Sequence, residues 1–164
     1  MHLIDLEVGF RGSTPIVGGT IPLAVGAALA AKMKGLDQVV VAFFGDGAFE
    51  EGVVHESLNF AALKKLPLIF VCENNGYSVY SGLEERQPKR PIAPIPKSHG
   101  WEIHTGDGND IQAVVDISRE AVSRTRQDKG PQFLELETYR WLEHCGPNDD
   151  DHLGYRPAQE LKKW

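Results

Sequence analysis

The stretch that decides the fold is Val39-Val40-Val41-Ala42-Phe43-Phe44-Gly45-Asp46-Gly47-Ala48, an apolar run of strand length that stops at Gly-Asp-Gly. A second apolar run, Leu68-Ile69-Phe70-Val71-Cys72, stops in the same way at Glu73-Asn74-Asn75-Gly76. The residues between the two runs have helical spacing, and a strand–helix–strand unit joins parallel strands. We therefore predict an α/β fold with a mostly parallel sheet and helices on both faces. The polar residues that end both strands should meet at one edge of this sheet, where open α/β sheets bind ligands.

The residue types at this edge suit a magnesium diphosphate ion. Asp46 offers a carboxylate and Asn75 a neutral amide oxygen, and both are hard oxygen donors of the kind that Mg²⁺ binds. Gly45 and Gly47 leave room for a phosphate to approach backbone N–H groups, and a helix beginning near Gly52 would add the positive end of its dipole. The sequence therefore predicts a magnesium and phosphate site between the two strand ends.

A plainer interpretation of Gly-Asp-Gly competes with this one, because the chain carries the motif twice. The second copy, Gly106-Asp107-Gly108, precedes Asn109-Asp110 and a helical pattern, which is typical of a tight turn followed by a helix cap. By itself the first copy would also be a turn. The context separates the two copies, since Asn74-Asn75 follows the first and no paired Asn follows the second at a comparable distance.

At these residues a family resemblance becomes specific. Gly45-Asp46-Gly47, a spacer and Asn74-Asn75 resemble the thiamine diphosphate motif. The flanking stretches 16–28 and 61–67 resemble the alpha subunit of the thiamine-dependent 2-oxo acid dehydrogenases of the pyruvate, branched-chain and acetoin types. Transketolase shares the motif but not these flanks. The resemblance covers residues 1–145, and it implies a thiamine diphosphate-binding fold.

The resemblance also implies a function and a set of binding residues. The chain would be the alpha-subunit portion of a thiamine diphosphate-dependent dehydrogenase, an oxidoreductase that decarboxylates a 2-oxo acid or cleaves acetoin. The family positions that hold Mg²⁺ match Asp46, Asn75 and the backbone carbonyl of Tyr77. Those that hold the diphosphate match Gly47, Ala48 and His144. Those that touch the thiamine pyrimidine through backbone groups match Pro15 and Val17, with Pro15 in place of a usual Gly.

Partners follow from the same resemblance. The glutamate that activates the pyrimidine belongs, in the family, to a beta subunit, and this chain offers no candidate for it. The resemblance implies a heterotetramer with that beta subunit and a possible acyltransferase core. The helix that carries His55, Glu56 and Asn59 matches a region of contact between subunits, implying an alpha–alpha contact, although a solvated face is the simpler interpretation of these residues.

The segment that carries His144 departs from the family pattern. Cys145 replaces a Ser that is a regulatory phosphorylation site in some members, and Leu142 replaces a second family His. A histidine on a polar loop can be simply exposed, but its place at the end of a third strand supports a ligand role. We therefore keep both interpretations of His144 and expect no phosphorylation at position 145.

The resemblance suggests how the chain is divided. We predict an α/β domain at residues 1–145 and an acidic, irregular segment at 146–164. Met1-His2 matches an internal family segment, so the domain would lack the family's upstream region and would be inactive without that region and its partner. The acidic run Asp149-Asp150-Asp151 could bind a cation, although a solvated loop is the simpler interpretation.

Composition excludes several other classes of function. The 164 residues suffice for one domain, and 41% hydrophobic with 24% charged residues is typical of globular chains. A net charge of −6 argues against nucleic acid as the main partner. No apolar run approaches a membrane span and no leader is visible, which predicts a cytoplasmic protein or one of an organellar matrix. Cys72 lies in an apolar strand and Cys145 in a polar loop, so no disulfide framework is expected.

The remaining pattern predicts further helices and strands and one long connection. Residues 78–101 form a basic, proline-containing connection of the kind that is functional or disordered in compact domains. The first predicted helix follows a loop and cap at Gly18-Gly19-Thr20, has Pro22 in its first turn and runs to Met33. The other predicted elements are a strand at 101–104, an amphipathic helix at 111–127 capped by Asp110, and a strand at 131–139.

Three hypotheses of different classes remain open. The first is an enzyme subunit that works with a beta partner, the second a non-catalytic phosphate- or nucleotide-binding module, and the third a truncated fragment that binds nothing alone. The second is disfavoured because no Gly-x-Gly-x-x-Gly or Gly-Lys-Ser/Thr loop follows any strand. Cofactor binding separates the first two, and binding with and without a beta subunit separates the first from the third.

Overall fold

A computed structural model of the chain describes residues 3–161 and 164, so the terminal Met1-His2 pair lies outside the described residues. In chain order the elements are α1 (Thr20–Met33), β1 (Val40–Gly45), α2 (Gly52–Lys64), β2 (Leu68–Asn74), β3 (Tyr77–Ser78), β4 (Ser81–Gly82), α3 (Leu83–Arg86), α4 (Pro94–Ser98), β5 (Glu102–Asp107), α5 (Ile111–Arg126), β6 (Gln132–Glu137) and α6 (Ala158–Leu161), with 3-10 turns at Ala48–Glu50 and Asp151–Leu153.

The main sheet is parallel throughout and has the strand order β1-β2-β6-β5. Its register places Gly45 of β1 beside Glu73 of β2, and Asn74 beside Glu137 of β6. The polar residues after β1 and β2 therefore begin at the same edge of the sheet. Strands β3 and β4 form a separate antiparallel pair that follows β2 at this edge.

Alternating residues of the strands build two hydrophobic cores, one on each face of the sheet. On the first face α1 and α2 pack against Phe44, Phe70 and Phe133 together with the other inward residues of β1 and β2. On the second face α5 covers a smaller cluster that includes Val71 and Leu134. The period of two places neighbouring strand residues on opposite faces. The predicted α/β fold with helices on both faces is confirmed.

The bounds of several elements differ from the sequence prediction. Helix α1 begins at Thr20, the residue expected to cap it, because Gly19 is the N-cap residue and already has helical dihedral angles. The strand predicted at 101–104 is β5 and runs to Asp107, so its last residues come from the second Gly-Asp-Gly. Helix α5 and its Asp110 cap are confirmed, since the Asp110 carboxylate accepts hydrogen bonds from the N–H groups of Gln112 and Ala113.

The long connection from 78 to 101 contains more regular structure than the single short helix considered from the sequence. It holds the β3–β4 pair and the two short helices α3 and α4. Helix α4 begins at a proline, whose fixed φ suits the first helical turn. The connection thereby returns the chain to β5 while leaving α3 over the edge of the sheet.

Strand β1 and helix α2 each present exposed apolar side chains. On strand β1, at the edge of the sheet, Val41 and Phe43 are exposed on the face away from α1 and α2. On α2 the exposed side carries Phe60 and Leu63, whereas Val54 and Leu58 face the core. No helix among residues 3–161 is long and apolar enough to cross a membrane.

Candidate functional site

Asp46 follows β1 directly and is the most buried acidic residue of the candidate site. Its Oδ1 accepts a hydrogen bond from the backbone N–H of Asn75 at 3.3 Å, and its Oδ2 lies 2.5 Å from Nη2 of Arg86. Burial raises the pKa of the Asp46 carboxyl above its ordinary value, and Arg86 and the Asn75 N–H partly oppose this shift by stabilising the carboxylate. One acidic group is thus held at the meeting point of two strand ends.

The Asn-Asn turn after β2 is fixed by its own side chains. The Asn75 side-chain oxygen accepts from the N–H of Tyr77 at 2.9 Å, and that of Asn74 accepts from the N–H of Gly76 at 3.1 Å. Gly76 has a φ of +78°, a conformation that glycine adopts without strain. These two turns direct the chain from β2 into β3 and keep Asn75 and Tyr77 beside Asp46.

The two asparagines have different surroundings. The amide nitrogen of Asn74 donates to Oε1 of Glu135 at 2.9 Å, and Oε2 of the same carboxylate accepts from the N–H of Ala93 at 2.9 Å. Asn74 therefore ties the turn to β6 and, through Glu135, to the beginning of α4. Asn75, by contrast, has its side chain bonded only within the turn among the contacts of the described residues.

The turn at Gly47 and Ala48 lies directly against β3. A Cβ atom at Gly47 would stand 2.6 Å from Oγ and 2.8 Å from Cβ of Ser78, so a side chain larger than hydrogen does not fit without movement. Ala48 begins the 3-10 turn that leads to α2. The predicted residues Asp46, Gly47, Ala48, Asn75 and Tyr77 are therefore brought together by the end of β1, the beginning of α2 and the turn into β3.

Tyr77 is also tied to the C-terminal part of the chain. Its hydroxyl donates to the carboxylate of Glu160 in α6 at 2.9 Å, and its ring packs edge-on against Tyr155 with the centroids 5.5 Å apart. Burial together with the bond to Glu160 raises the pKa of Tyr77 to about 12. The residues after 150 thus cover β3 at the edge of the sheet.

The acidic run is not uniformly solvated, in contrast to the simpler sequence interpretation. Asp150 is buried and forms an ion pair with Arg156, whose guanidinium also contacts Asp151 and stacks over the rings of Tyr139 and Tyr155. A buried carboxylate needs such a cationic partner. Within the described part of the chain, no group of three or more His, Cys, Asp or Glu residues could hold a metal ion. The boundary after residue 145 stays a prediction.

Three other predicted residues lie apart from this cluster. Pro15 and Val17 are exposed in the loop before α1, whose Gly18 approaches the side chain of Glu51 at the start of α2. His144 is exposed, and its side chain forms no hydrogen bond or ion pair with any described residue. The loop before α1 is therefore at the same end of α2 as the Asp46 turn, whereas His144 forms no hydrogen bond or ion pair with the described residues of that turn.

The sequence analysis missed three charged residues. Arg86 joins Asp46 to Glu50, since its Nη1 also contacts Oε1 of Glu50, and Glu135 supports the Asn-Asn turn. Nothing in the spacing of Arg86 and Asp46 pointed to their contact, because forty residues and several elements separate them. Glu135 left a signal that could have been used, since it is an acidic residue between Leu134 and Leu136 in a strand-like stretch.

The two Gly-Asp-Gly copies differ in the structure as their contexts predicted. Asp46 is buried and faces the turn after β2, whereas Asp107 is exposed at the end of β5 and accepts from the N–H of Asn109 at 2.8 Å. Gly108 lies tightly against Thr138, where a Cβ atom would stand 2.5 Å from Cγ2. In the second copy Gly106 and Asp107 end β5, Gly108 begins the predicted turn, and Asp110 after it is the predicted helix cap.

Comparison with known proteins adds three similarities. A family model described as the dehydrogenase E1 component matches residues 1–164. The alpha subunit of acetoin:2,6-dichlorophenolindophenol oxidoreductase from Bacillus subtilis (strain 168) is 44% identical over 160 residues, which are 98% of this chain and 47% of that protein. The alpha subunit of the pyruvate dehydrogenase E1 component from Rhizobium meliloti (strain 1021) is 38% identical over 163 residues, or 99% of this chain and 46% of that protein.

Among solved structures, one from Mycobacterium smegmatis that is provisionally described as a thiamin diphosphate-dependent enzyme superposes with a TM-score of 0.60. It is 27% identical and matches 80% of this chain and 24% of its own. The chain spans about half the length of the curated relatives it matches.

Proposed function

The chain belongs to the dehydrogenase E1 component family, and on that premise we propose that it is the alpha-subunit portion of a thiamine diphosphate-dependent dehydrogenase. Its substrate would be a 2-oxo acid or acetoin, the two classes suggested by the names of its relatives. The observation that carries the proposal is the hydrogen bond from the Asn75 N–H to the Asp46 carboxylate, which joins the two halves of the motif.

The donor set suits Mg²⁺. Asp46, the side chain of Asn75 and the carbonyl of Tyr77 offer one charged and two neutral hard oxygens, and Mg²⁺ takes its remaining ligands from phosphate and water. The position beside Asp46 already accommodates positive charge, because the Arg86 guanidinium lies there. These residues therefore fit a metal that carries a diphosphate.

The diphosphate would lie along the turn after β1. There the backbone of Gly47 and Ala48 and the beginning of α2 supply N–H groups and the positive end of a helix dipole. When bound, thiamine diphosphate supplies an electron sink for cleaving the bond next to a carbonyl carbon. The residues of this chain would bind and orient the cofactor, and the buried Asp46 would shield its side of the metal from water.

Other parts of the assembly belong to the same proposal. A beta subunit would complete the active site and form a heterotetramer, with an alpha–alpha contact on the exposed side of α2, where His55, Glu56 and Asn59 lie. We keep His144 as a diphosphate ligand and the loop at Pro15 and Val17 as the pyrimidine contact. Docking on an acyltransferase core is a further element of this proposal.

Calorimetric titration of the chain with thiamine diphosphate in the presence of Mg²⁺ tests the proposal. The two Gly-Asp-Gly copies offer matched variants, because Asp46→Ala should abolish binding whereas Asp107→Ala should leave it unchanged. Equal effects of the two variants on binding would contradict a specific role of Asp46 in the site. A folded chain that binds only after the beta subunit is added would assign the missing half of the site to that partner. No binding even then would contradict the thiamine function.

A further inference from the structure

The Arg86 side chain lies between two carboxylates at the candidate site. Its Nη2 contacts Oδ2 of Asp46 at 2.5 Å, its Nη1 contacts Oε1 of Glu50, and its Nε donates to the carbonyl of Ser81 at 3.1 Å. The exposed fraction is 11% for the Arg86 side chain, 1% for Asp46 and 27% for Glu50. Arg86 is thus an inward-directed cation rather than part of the solvated basic connection that follows it.

Both oxygens of the Asp46 carboxylate have protein partners in this arrangement, Oδ1 with the N–H of Asn75 and Oδ2 with Arg86. A buried carboxylate without a cation is strongly unfavourable, so Arg86 stabilises Asp46 when no metal is present. Mg²⁺ would need the same carboxylate. Two cations cannot contact one carboxylate oxygen without repelling each other in a poorly solvated site.

We propose that Arg86 is an internal counter-cation of the metal site: it neutralises Asp46 in the metal-free chain and must release Oδ2 when Mg²⁺ binds. The inference rests on the proposed function, since it concerns the metal of that site. Arg86 contacts a metal ligand rather than substrate, so it is a positioning residue, and its removal should alter metal affinity.

Glu50 can keep its contact with Arg86 after Arg86 has released Asp46. Its Oε1 accepts from Nη1 of Arg86 and from Nε2 of Gln87 at 2.6 Å, and Glu50 is more exposed than Asp46. The guanidinium can therefore leave Asp46 by a small movement while it keeps its contact with Glu50 and stays close to the metal. The planar fork of arginine permits simultaneous bonds to both carboxylates, which is the state in this structure.

The test measures the affinity of the chain for Mn²⁺ by electron paramagnetic resonance at pH 8, with thiamine diphosphate present, in wild type and three variants. Arg86→Gln removes the competing cation, Arg86→Lys keeps the charge without the fork, and Arg90→Gln removes an exposed positive charge of the same connection. We expect Mn²⁺ to bind about ten- to hundredfold more tightly to Arg86→Gln, the range of a hydrogen bond to a charged group. Arg86→Lys should fall between it and wild type, and Arg90→Gln should match wild type.

Thermal unfolding with and without the metal gives a second readout. Without metal, Arg86→Gln should unfold at a lower temperature than wild type, because Asp46 loses its cation, and metal with thiamine diphosphate should raise its Tm by more than it raises that of wild type. If Arg86→Gln does not fold, the Arg86→Lys affinity decides: a value equal to or weaker than wild type contradicts the inference. Equal affinities in all folded variants overturn the inference while the proposed function stands. Absence of metal binding in every folded variant, both alone and after the beta subunit is added, overturns the proposed function and the inference with it.

Discussion

Substitution of Gly47 by alanine probes how closely the turn after β1 lies against β3. The backbone of Gly47 has a φ of −65° and a ψ of −36°, which alanine adopts without strain, so the effect of the substitution is steric. The new Cβ would stand 2.6 Å from Oγ and 2.8 Å from Cβ of Ser78, both well inside ordinary contact distance. Overpacking of this kind costs about 1–3 kcal/mol, partly offset by about 0.4–1 kcal/mol from the stiffer unfolded chain.

We therefore expect Gly47→Ala to lower the free energy of unfolding by roughly 1–2 kcal/mol, which is a Tm decrease of about 2–8 °C for a chain of this size. Urea denaturation followed by tryptophan fluorescence measures the change. Gly26→Ala is the matched control, because nothing lies within 4 Å of its Cβ in α1 and the helix gains about 0.5–1 kcal/mol.

A double-mutant cycle identifies the contact responsible. Ser78→Gly removes both atoms that the new methyl group meets, and the next atom of that residue, its Cα, is 3.6 Å away. Combining Ser78→Gly with Gly47→Ala should therefore recover most of the loss, with a coupling energy of about 1 kcal/mol or more. A Gly47→Ala chain as stable as the Gly26→Ala control would refute the close approach of the Gly47 turn to Ser78 in β3. A loss of stability that Ser78→Gly leaves unchanged would refute it as well.

Three further predictions concern the rest of the fold. Phe70→Ala should lower the free energy of unfolding by about 3–5 kcal/mol because the Phe70 ring is fully buried. Phe43 is 63% exposed, so Phe43→Ala should change this free energy by about 0.5 kcal/mol or less. Similar losses for the two variants in urea denaturation would contradict the placement of Phe70 in the core and of Phe43 on the surface. Asp110→Ala should cost about 1 kcal/mol in the same assay through loss of the cap of α5, and no loss would argue against that cap. Burial and nearby carboxylates raise the pKa of the Cys72 thiol well above its ordinary value of 9.0. The folded state therefore favours the protonated thiol, and the stabilisation that this gives is lost as the pH rises above 9.0 towards the raised pKa. Ellman's reagent should accordingly label Cys145 alone in the folded chain at pH 8, and rapid labelling of both thiols would contradict the burial of Cys72. The decline in the free energy of unfolding at alkaline pH should be smaller in Cys72→Ala than in wild type.

The strands and the meeting of their polar ends could be predicted from the sequence because each depends on local pattern. The apolar runs before Asp46 and Asn75 fix two parallel strands, and the alternation of the strand residues fixes which side chains enter each core. The cap at Asp110 follows from its place before an amphipathic helix. These features need no knowledge of distant contacts.

The remaining parts of the site depend on contacts between residues that are distant in sequence. Arg86 reaches Asp46 only because the β3–β4 pair turns α3 back over the sheet edge, and no periodicity encodes that turn. Glu160 reaches Tyr77 across 83 positions of the sequence. The burial of Asp150 depends on its ion pair with Arg156. The composition of the acidic run does not reveal this pair, and from composition alone a solvated loop was the simpler prediction. Long-range ion pairs of this kind become visible only in the folded chain.

The most direct test of the metal and cofactor site is a crystal structure of the chain with Mn²⁺ and thiamine diphosphate, with anomalous scattering used to locate the metal. We expect a single Mn²⁺ peak within bonding distance of the Asp46 carboxylate, the side-chain oxygen of Asn75 and the carbonyl of Tyr77, with the diphosphate along Gly47. A peak on the exposed carboxylates of Asp149 or Asp151, or a diphosphate bound away from Gly47, would contradict the account.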